Sequence, residues 1–132
     1  MEKDFDAWHE QKKETNLQEE DILFYEREVW WVRLGVNIGV EIDGKHELFL
    51  RPVIILRKFN KHMAFVVPTT TQNKKDKYYV DVSEETGKVH RACLSQLRTI
   101  SAKRLERKIG TIKIEDGARL TRVISHMILR GL

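Results

Sequence analysis

The sequence predicts a mainly β chain with helices (α+β): a small, strongly twisted antiparallel barrel with a C-terminal helix and an added N-terminal helix. Three observations lead there. Short β-branched and aromatic runs at residues 29–34, 51–56, 64–67 and 78–82 are set apart by Gly, Pro and polar turns. No helical stretch intervenes between them, as expected of antiparallel strands and not of a parallel sheet with crossover helices. Only residues 115–130 return to the helical period.

Taken in order, residues 3–15 are rich in Glu, Lys and Gln and carry Phe5 and Trp8 three apart, a weakly amphipathic helix with one anchoring face. An acidic stretch leads into Ile22-Leu23-Phe24-Tyr25, where apolar density first rises. A helical extension is therefore expected over 1–21 and the main domain over 22–132. Trp30 and Trp31 alternate across the first strand, which predicts one in the core and the other at an interface, in preference to a base-stacking platform. Gly35, Gly39 and Gly44 punctuate a long loop before Arg51-Pro52, where Pro at a strand start is tolerable. Phe59-Asn60-Lys61-His62 turns the chain, Pro68 ends the third strand, and a polar run follows to Lys77. After a turn at Gly87, residues 89–98 supply a further strand; Ser101 caps a short helical turn, and 109–112 supply a last strand. In the final helix Leu120, Val123, Ile124, Met127 and Ile128 share one face, which is core or a dimer seam.

The composition narrows the function classes. With 132 residues, 41% hydrophobic and 33% charged, and no apolar run of spanning length, the chain is expected to be one globular domain with no membrane partner. The single cysteine, Cys93, cannot form an internal bridge, and the charged start beginning Met1-Glu2-Lys3-Asp4 lacks the apolar stretch of a secretory signal. A cytoplasmic protein is expected. Residues 1–22 hold eight Asp/Glu against three Lys/Arg, a net charge of −5, and the rest holds twenty-one Lys/Arg against twelve Asp/Glu, a net of +9. A basic body of this kind suits a polyanion, although a solvated surface has the same composition.

Neither a metal nor a cofactor is expected. The five histidines are scattered, with no pair at helical spacing and no Cys companion. Glu41 and Asp43 lie two apart in a loop, more in keeping with solvent-facing carboxylates than with Mg²⁺ ligands. There is no phosphate-cradling Gly-rich motif and no nucleophile elbow, and Cys93 in an apolar strand reads as an inert buried thiol. What remains is Glu41 in its loop, Arg51 opening a strand, and the run Thr69-Thr70-Thr71-Gln72.

These residues belong to four ordered blocks. Arg27-Glu28-Val29-Trp30-Trp31-Val32, then Arg51-Pro52-Val53-Ile54-Ile55-Leu56 after a Gly-containing loop, resemble the N-terminal half of MazF/PemK toxins. Val67-Pro68-Thr69-Thr70-Thr71-Gln72, and Leu94-Ser95-Gln96-Leu97-Arg98-Thr99-Ile100 with Lys103-Arg104-Leu105 and Lys108-Ile109-Gly110-Thr111-Ile112, resemble the second half. The resemblance implies an SH3-like barrel, a homodimer and a type II toxin–antitoxin endoribonuclease. It would cut single-stranded RNA, be held by a cognate antitoxin, and meet operator DNA only as the toxin–antitoxin complex. It also implies catalytic roles for Arg51, Thr70 and Glu41; Thr71, Gln72 and Gln96 are expected to contact substrate, and Lys74 and Lys75, in a charge run with Lys77 that otherwise reads as a solvated loop, become RNA-backbone contacts beside such a phosphate site. At Val40 the family's usual Ser is missing, and the loop from Asp43 to Leu50 is longer than in many members, so RNA specificity is expected to differ.

The chemistry fits those residue types. Attack by an RNA 2′-hydroxyl needs a base, donors on the phosphorane oxygens and help for the leaving 5′ oxygen. Arg51 offers a permanently charged planar fork for a phosphate, Thr70 a hydroxyl, and Glu41 a base; the acid stays unassigned. Other readings stand beside these. Arg51 and Glu41 form a surface pair, or Thr70 bonds its own turn backbone. The chain is a protein-targeting toxin similar in fold to the gyrase poison CcdB, or a non-catalytic nucleic-acid-binding module.

Overall fold

The computed structural model describes residues 4–16, 22–34, 50–73 and 75–132. The elements run α1 (Phe5–Asn16), β1 (Glu28–Arg33), β2 (Leu50–Asn60), β3 (Met63–Thr70), β4 (Tyr79–Ser83), β5 (Val89–Cys93), β6 (Arg98–Ser101), β7 (Leu105–Thr111) and α2 (Ile114–Arg130). Single helical turns at Leu94–Gln96 and Ala102–Arg104 flank β6. All pairings are antiparallel, in the order β4-β5-β3-β2-β1-β7, with β6 on β3.

This is the mainly β fold with one helix at each end that the alternating runs predict. The sheet curls without sealing: its outer strands meet at one bridge, Glu84 with Ile112, rather than along a ladder. The reason is length. β4 has five residues, and the Glu84 N–H already turns back to the Lys88 carbonyl at 2.8 Å, so no strand remains to pair.

Strand limits shift from those read in the sequence. β2 continues to Asn60, whose side chain accepts from the His62 N–H at 2.8 Å, so the turn shrinks to Lys61 and His62. β3 passes through Pro68 to Thr70, past the expected stop. β3 pairs with β6 over residues 63–66 and with β5 at Thr69 and Thr70, leaving Val67 and Pro68 between the two partners. A proline, with no N–H to give a ladder, is tolerated in such a gap. The expected strand over 89–98 is broken by the turn at Leu94–Gln96, and β7 begins four residues earlier than its apolar residues suggest.

The strands of β2 and β3 are buried on both faces, which explains their continuous apolar runs. On one face Val53, Ile55, Ala64 and Val66 pack with Phe24, Trp30, Val32, Leu34, Ile100 and Leu105. On the other, Ile54 and Val67 pack with Val82, Ala92, Leu94 and Ile112 beneath Leu120 and Ile124 of α2. Trp30 is buried, as the alternation predicts for one of the pair, and Trp31 is half-buried. Val123 and Met127 cover the second cluster in part, whereas Ile128 is 69% exposed: by that turn α2 has run past the sheet. Ser101 caps the turn at Ala102–Arg104 by accepting from the Lys103 N–H at 3.3 Å, as expected.

The helices close particular edges. Arg119 of α2 donates to the Asp81 carbonyl at 2.6 Å, Asp116 accepts from the Ser83 N–H at 2.7 Å, and the Lys113 N–H reaches the Ser83 carbonyl at 2.9 Å. The outward main chain of β4 is thereby occupied. In α1, Trp8 is 6% exposed, its ring 5.5 Å from the Arg104 guanidinium. Phe5, expected to anchor beside it, is instead half exposed, so a single aromatic holds the helix.

Two buried carboxylates complete the frame. Glu28 accepts from the Tyr25 N–H at 2.7 Å, the Trp30 indole at 3.1 Å and Lys108 at 2.9 Å. Glu84 and His90 lie 2.5 Å apart, both buried, and Gly110 leaves the space their carboxylate fills.

Candidate functional site

β2 and β3 pair with Val53 opposite Pro68; carried two residues on, that register sets Arg51 across from Thr70 on the same sheet face. This is the face of the first apolar cluster, at the end where the cluster stops. Arg51 is nearly buried, and its Nη1 donates to the Thr69 carbonyl at 3.1 Å. The Thr69 hydroxyl in turn donates to the Pro52 carbonyl at 3.2 Å. Arg51 and Pro52 of β2 are thus both tied to Thr69 of β3, which fixes the guanidinium relative to the adjoining Thr70 backbone.

Thr70 Oγ1 accepts from the Gln72 N–H at 3.1 Å. The turn bond considered from the sequence is therefore present, and it complements a donor role: with the N–H on an oxygen lone pair, the hydroxyl proton remains to be donated elsewhere.

The face continues across two further strands. Thr70 pairs with Arg91 of β5, and Arg91 with Asp81 of β4. Successive strands lie about 4.8 Å apart, so the band Arg51, Thr70, Arg91, Asp81 spans on the order of 14 Å. The Arg91 fork grips Asp81 from Nε at 2.8 Å and Nη2 at 3.2 Å, while Nη1 donates to the Gln72 carbonyl at 3.0 Å and the Asn73 side chain at 3.1 Å. The Arg91 bond holds the Asp81 carboxyl below its ordinary range, against a smaller upward push from burial. One step along the same face, Tyr79 pairs with Cys93. Burial, a bond to the Cys93 thiol and the charge of Asp76 push its phenol up, against an opposing pull from Arg51. The charge of Arg51 is therefore felt at Tyr79.

The break in β3 pairing makes a groove. Between β5 and β6 the turn at Leu94–Gln96 crosses beside Pro68, leaving a hollow of about 350 Å³ lined by Leu34, Pro68, Ser95, Gln96, Leu97, Arg98 and Thr99. Leu34, the last described residue before 35–49, is part of the groove's lining.

Of the residues singled out from the sequence, Arg51, Thr70, Thr71 and Gln72 come together at one end of the β2–β3 ladder. Lys75 lies exposed beyond that turn, and Gln96 lies in the hollow. Glu41 and Lys74 lie outside the described residues. Sequence reasoning missed Arg91, Tyr79 and Asp81; the alternation of residues 89, 91 and 93 signals their face, but not which strands stand beside it. Among the described residues no group of three His, Cys, Asp or Glu side chains is placed to hold a metal ion, and no helix is long and apolar enough to cross a membrane. Cys93 is buried, 3.5 Å from the Ser95 hydroxyl.

The family described as PemK-like, MazF-like toxin of type II toxin–antitoxin system matches residues 25–128. The chain belongs to that family. Its matched span takes in all seven strands and leaves α1 outside. A chain of the crystal structure of MazE–MazF (form II) from Deinococcus radiodurans is similar in fold, with a TM-score of 0.62 at 13% identity, over 83% of this chain and 98% of that one. No curated protein matches by sequence. The toxin's cross-tied arginine and threonine therefore stand on a fold shared far beyond sequence similarity.

Proposed function

We propose that this toxin is a sequence-specific, metal-independent endoribonuclease that cuts single-stranded RNA to 2′,3′-cyclic phosphate and 5′-hydroxyl ends. The observation that carries the reading is that the β2–β3 register, continued two residues past Val53 and Pro68, sets Arg51 across from Thr70 at one end of one sheet face, each side chain bonded to neighbouring backbone. A phosphate set between them would meet a guanidinium fork and a hydroxyl whose proton is available. Negative charge on the non-bridging oxygens grows toward the pentacoordinate transition state, so such donors stabilise it more than the bound substrate. The nucleophile is the RNA's own 2′-hydroxyl, which needs only a base. Glu41, implied by the family resemblance and outside the described residues, is the candidate.

Thr71, Gln72, Lys74, Lys75 and Gln96 then contact the flanking RNA. A homodimer in the cytoplasm, neutralised by a cognate antitoxin and meeting operator DNA only in that complex, completes the proposal; the similar structure from Deinococcus radiodurans is a MazE–MazF complex. The test is cleavage of a mixed single-stranded RNA pool with end-group analysis. Cutting is expected in EDTA, with 2′,3′-cyclic phosphate ends, and is expected to vanish in Arg51→Ala. Cutting only with added Mg²⁺, or none by well-folded protein, would end the proposal.

A further inference from the structure

We propose that the hollow at the outer edge of β4 is a subsite for an RNA nucleotide beside the scissile phosphate, with the base on the Tyr79 ring and the phosphate against Arg119 and Lys75. The inference rests on the nuclease reading for its substrate and deepens it.

The hollow measures about 390 Å³ and is lined by Tyr79, Arg91, Arg119 and Lys75 together with Asp76, Val80 and Asp81. That volume falls within the range of small-ligand sites. Its place is set by pairing: Arg91 is opposite Thr70, and Tyr79 and Asp81 stand on the next strand of the same face. RNA crossing the strands from Arg51 and Thr70 runs toward it.

The charges favour an anion. Asp81 is committed to the Arg91 fork, and Asp76 caps its own turn by accepting from the Tyr78 N–H at 2.8 Å. Arg119 gives one N–H to the Asp81 carbonyl, and its contact with Asp116 is a long 3.8 Å; with five N–H donors, the side chain brings more donors to the hollow's lining than those contacts use. Lys75 is exposed. Tyr79 is half-buried on a paired strand, so little side-chain freedom is lost when a base stacks on it. Base stacking on an aromatic beside cationic donors is the common device for holding single strands.

The test is binding of short, mixed-sequence 2′-O-methyl RNA, which lacks the nucleophilic hydroxyl, followed by fluorescence anisotropy over a salt series. Tyr79→Leu is expected to weaken binding about tenfold with an unchanged salt slope. Tyr79→Phe, which keeps the ring, is expected to bind like the parent. Arg119→Gln is expected to reduce the slope by about 0.7, one phosphate contact on a single strand. Parental binding by both Tyr79→Leu and Arg119→Gln overturns the subsite, as does an equal loss in Tyr79→Leu and Tyr79→Phe. Cleavage by the parent protein is scored separately. If nothing is cut but these binding signatures hold, the nuclease reading falls and the subsite stands; cleavage without them gives the reverse.

Discussion

The Arg51 guanidinium is bonded to the main-chain carbonyl of Thr69, one residue before the hydroxyl it is proposed to work beside. The carbonyl anchor is backbone, and the Thr69 hydroxyl adds a second tie, to the Pro52 carbonyl. The carbonyl bond also holds one edge of the fork against β3.

Arg51→Ala should lower RNA cleavage by about 10²–10³-fold, the usual cost of losing a transition-state donor, and stability by about 1 kcal/mol for the lost bond. Thr70→Val should cost more activity than Thr70→Ser, because serine keeps the hydroxyl. Initial rates with melting curves separate chemistry from folding. Parental rates in Arg51→Ala would contradict the assignment.

Arg91 ties the Gln72–Asn73 turn to β4, and that turn supplies the N–H on Thr70 Oγ1. Arg91→Gln should therefore loosen the turn: faster hydrogen exchange at the Gln72 amide and about tenfold slower turnover, with the global melting temperature within a few degrees of the parent's. The pair is half exposed and solvent-screened, so its contribution to stability is small. Unchanged exchange at Gln72 would remove Arg91 from this role.

Burial pushes the Glu28 carboxyl upward, but bonds from Lys108, Trp30 and the Tyr25 backbone outweigh it and hold the group below its ordinary value. A carboxyl depressed in the folded state stabilises above its unfolded pKa, and that contribution is lost as pH falls through the folded value. Glu28→Gln should cost about 1–3 kcal/mol at neutral pH. The gap from the parent should shrink as the pH is lowered below about 4.5. Melting curves of both proteins across that window would show a constant gap if the carboxylate were not responsible.

At Gly110 an added Cβ would overlap the Glu84 carboxylate, which is held between strands by buried His90. Gly110→Ala should cost roughly 2–3 kcal/mol, from overpacking and a disturbed buried polar pair, although alanine suits a strand better than glycine. Urea denaturation measures it. A neutral or stabilised variant would mean the pair moves aside freely.

Among the described side chains of α1, Trp8 is the one large buried contact. Trp8→Ala should release the helix, visible as lost helical signal and a faster-proteolysed N-terminus, while the strands keep their melting transition. A uniform fall in stability of the whole chain would instead make α1 part of the main folding unit.

The legible part of this fold was whatever is encoded locally. Alternation and turn residues placed β1 to β5, and the 3.6-residue period placed α2. The start of β7, Leu105-Glu106-Arg107-Lys108, was missed because its outward residues are charged on both sides of the register and only pairing with β1 makes it a strand. Pro68 looked like a terminus because a proline rarely continues a strand; the change of partners that accommodates it is a long-range event. Arg51 and Thr70 were picked out through family resemblance, and composition alone would have left them as a surface arginine and a turn threonine. Arg91 carried no signal of its own, since its meaning comes from standing opposite Thr70.

The bonds from α2 to β4 bear on how the chain behaves when crowded. An outermost strand with vacant amides invites a second chain to add on and begin a fibril. Here a newcomer would have to displace Arg119 from Asp81 and Asp116 from Ser83 before it could pair, and the opposite flank, β7, carries the exposed charged run Glu106-Arg107-Lys108, in which Glu106 and Lys108 pair with Arg33 and Glu28 of β1. Resistance to self-assembly is thus built into both margins, by occupied hydrogen bonds at one and by charge at the other.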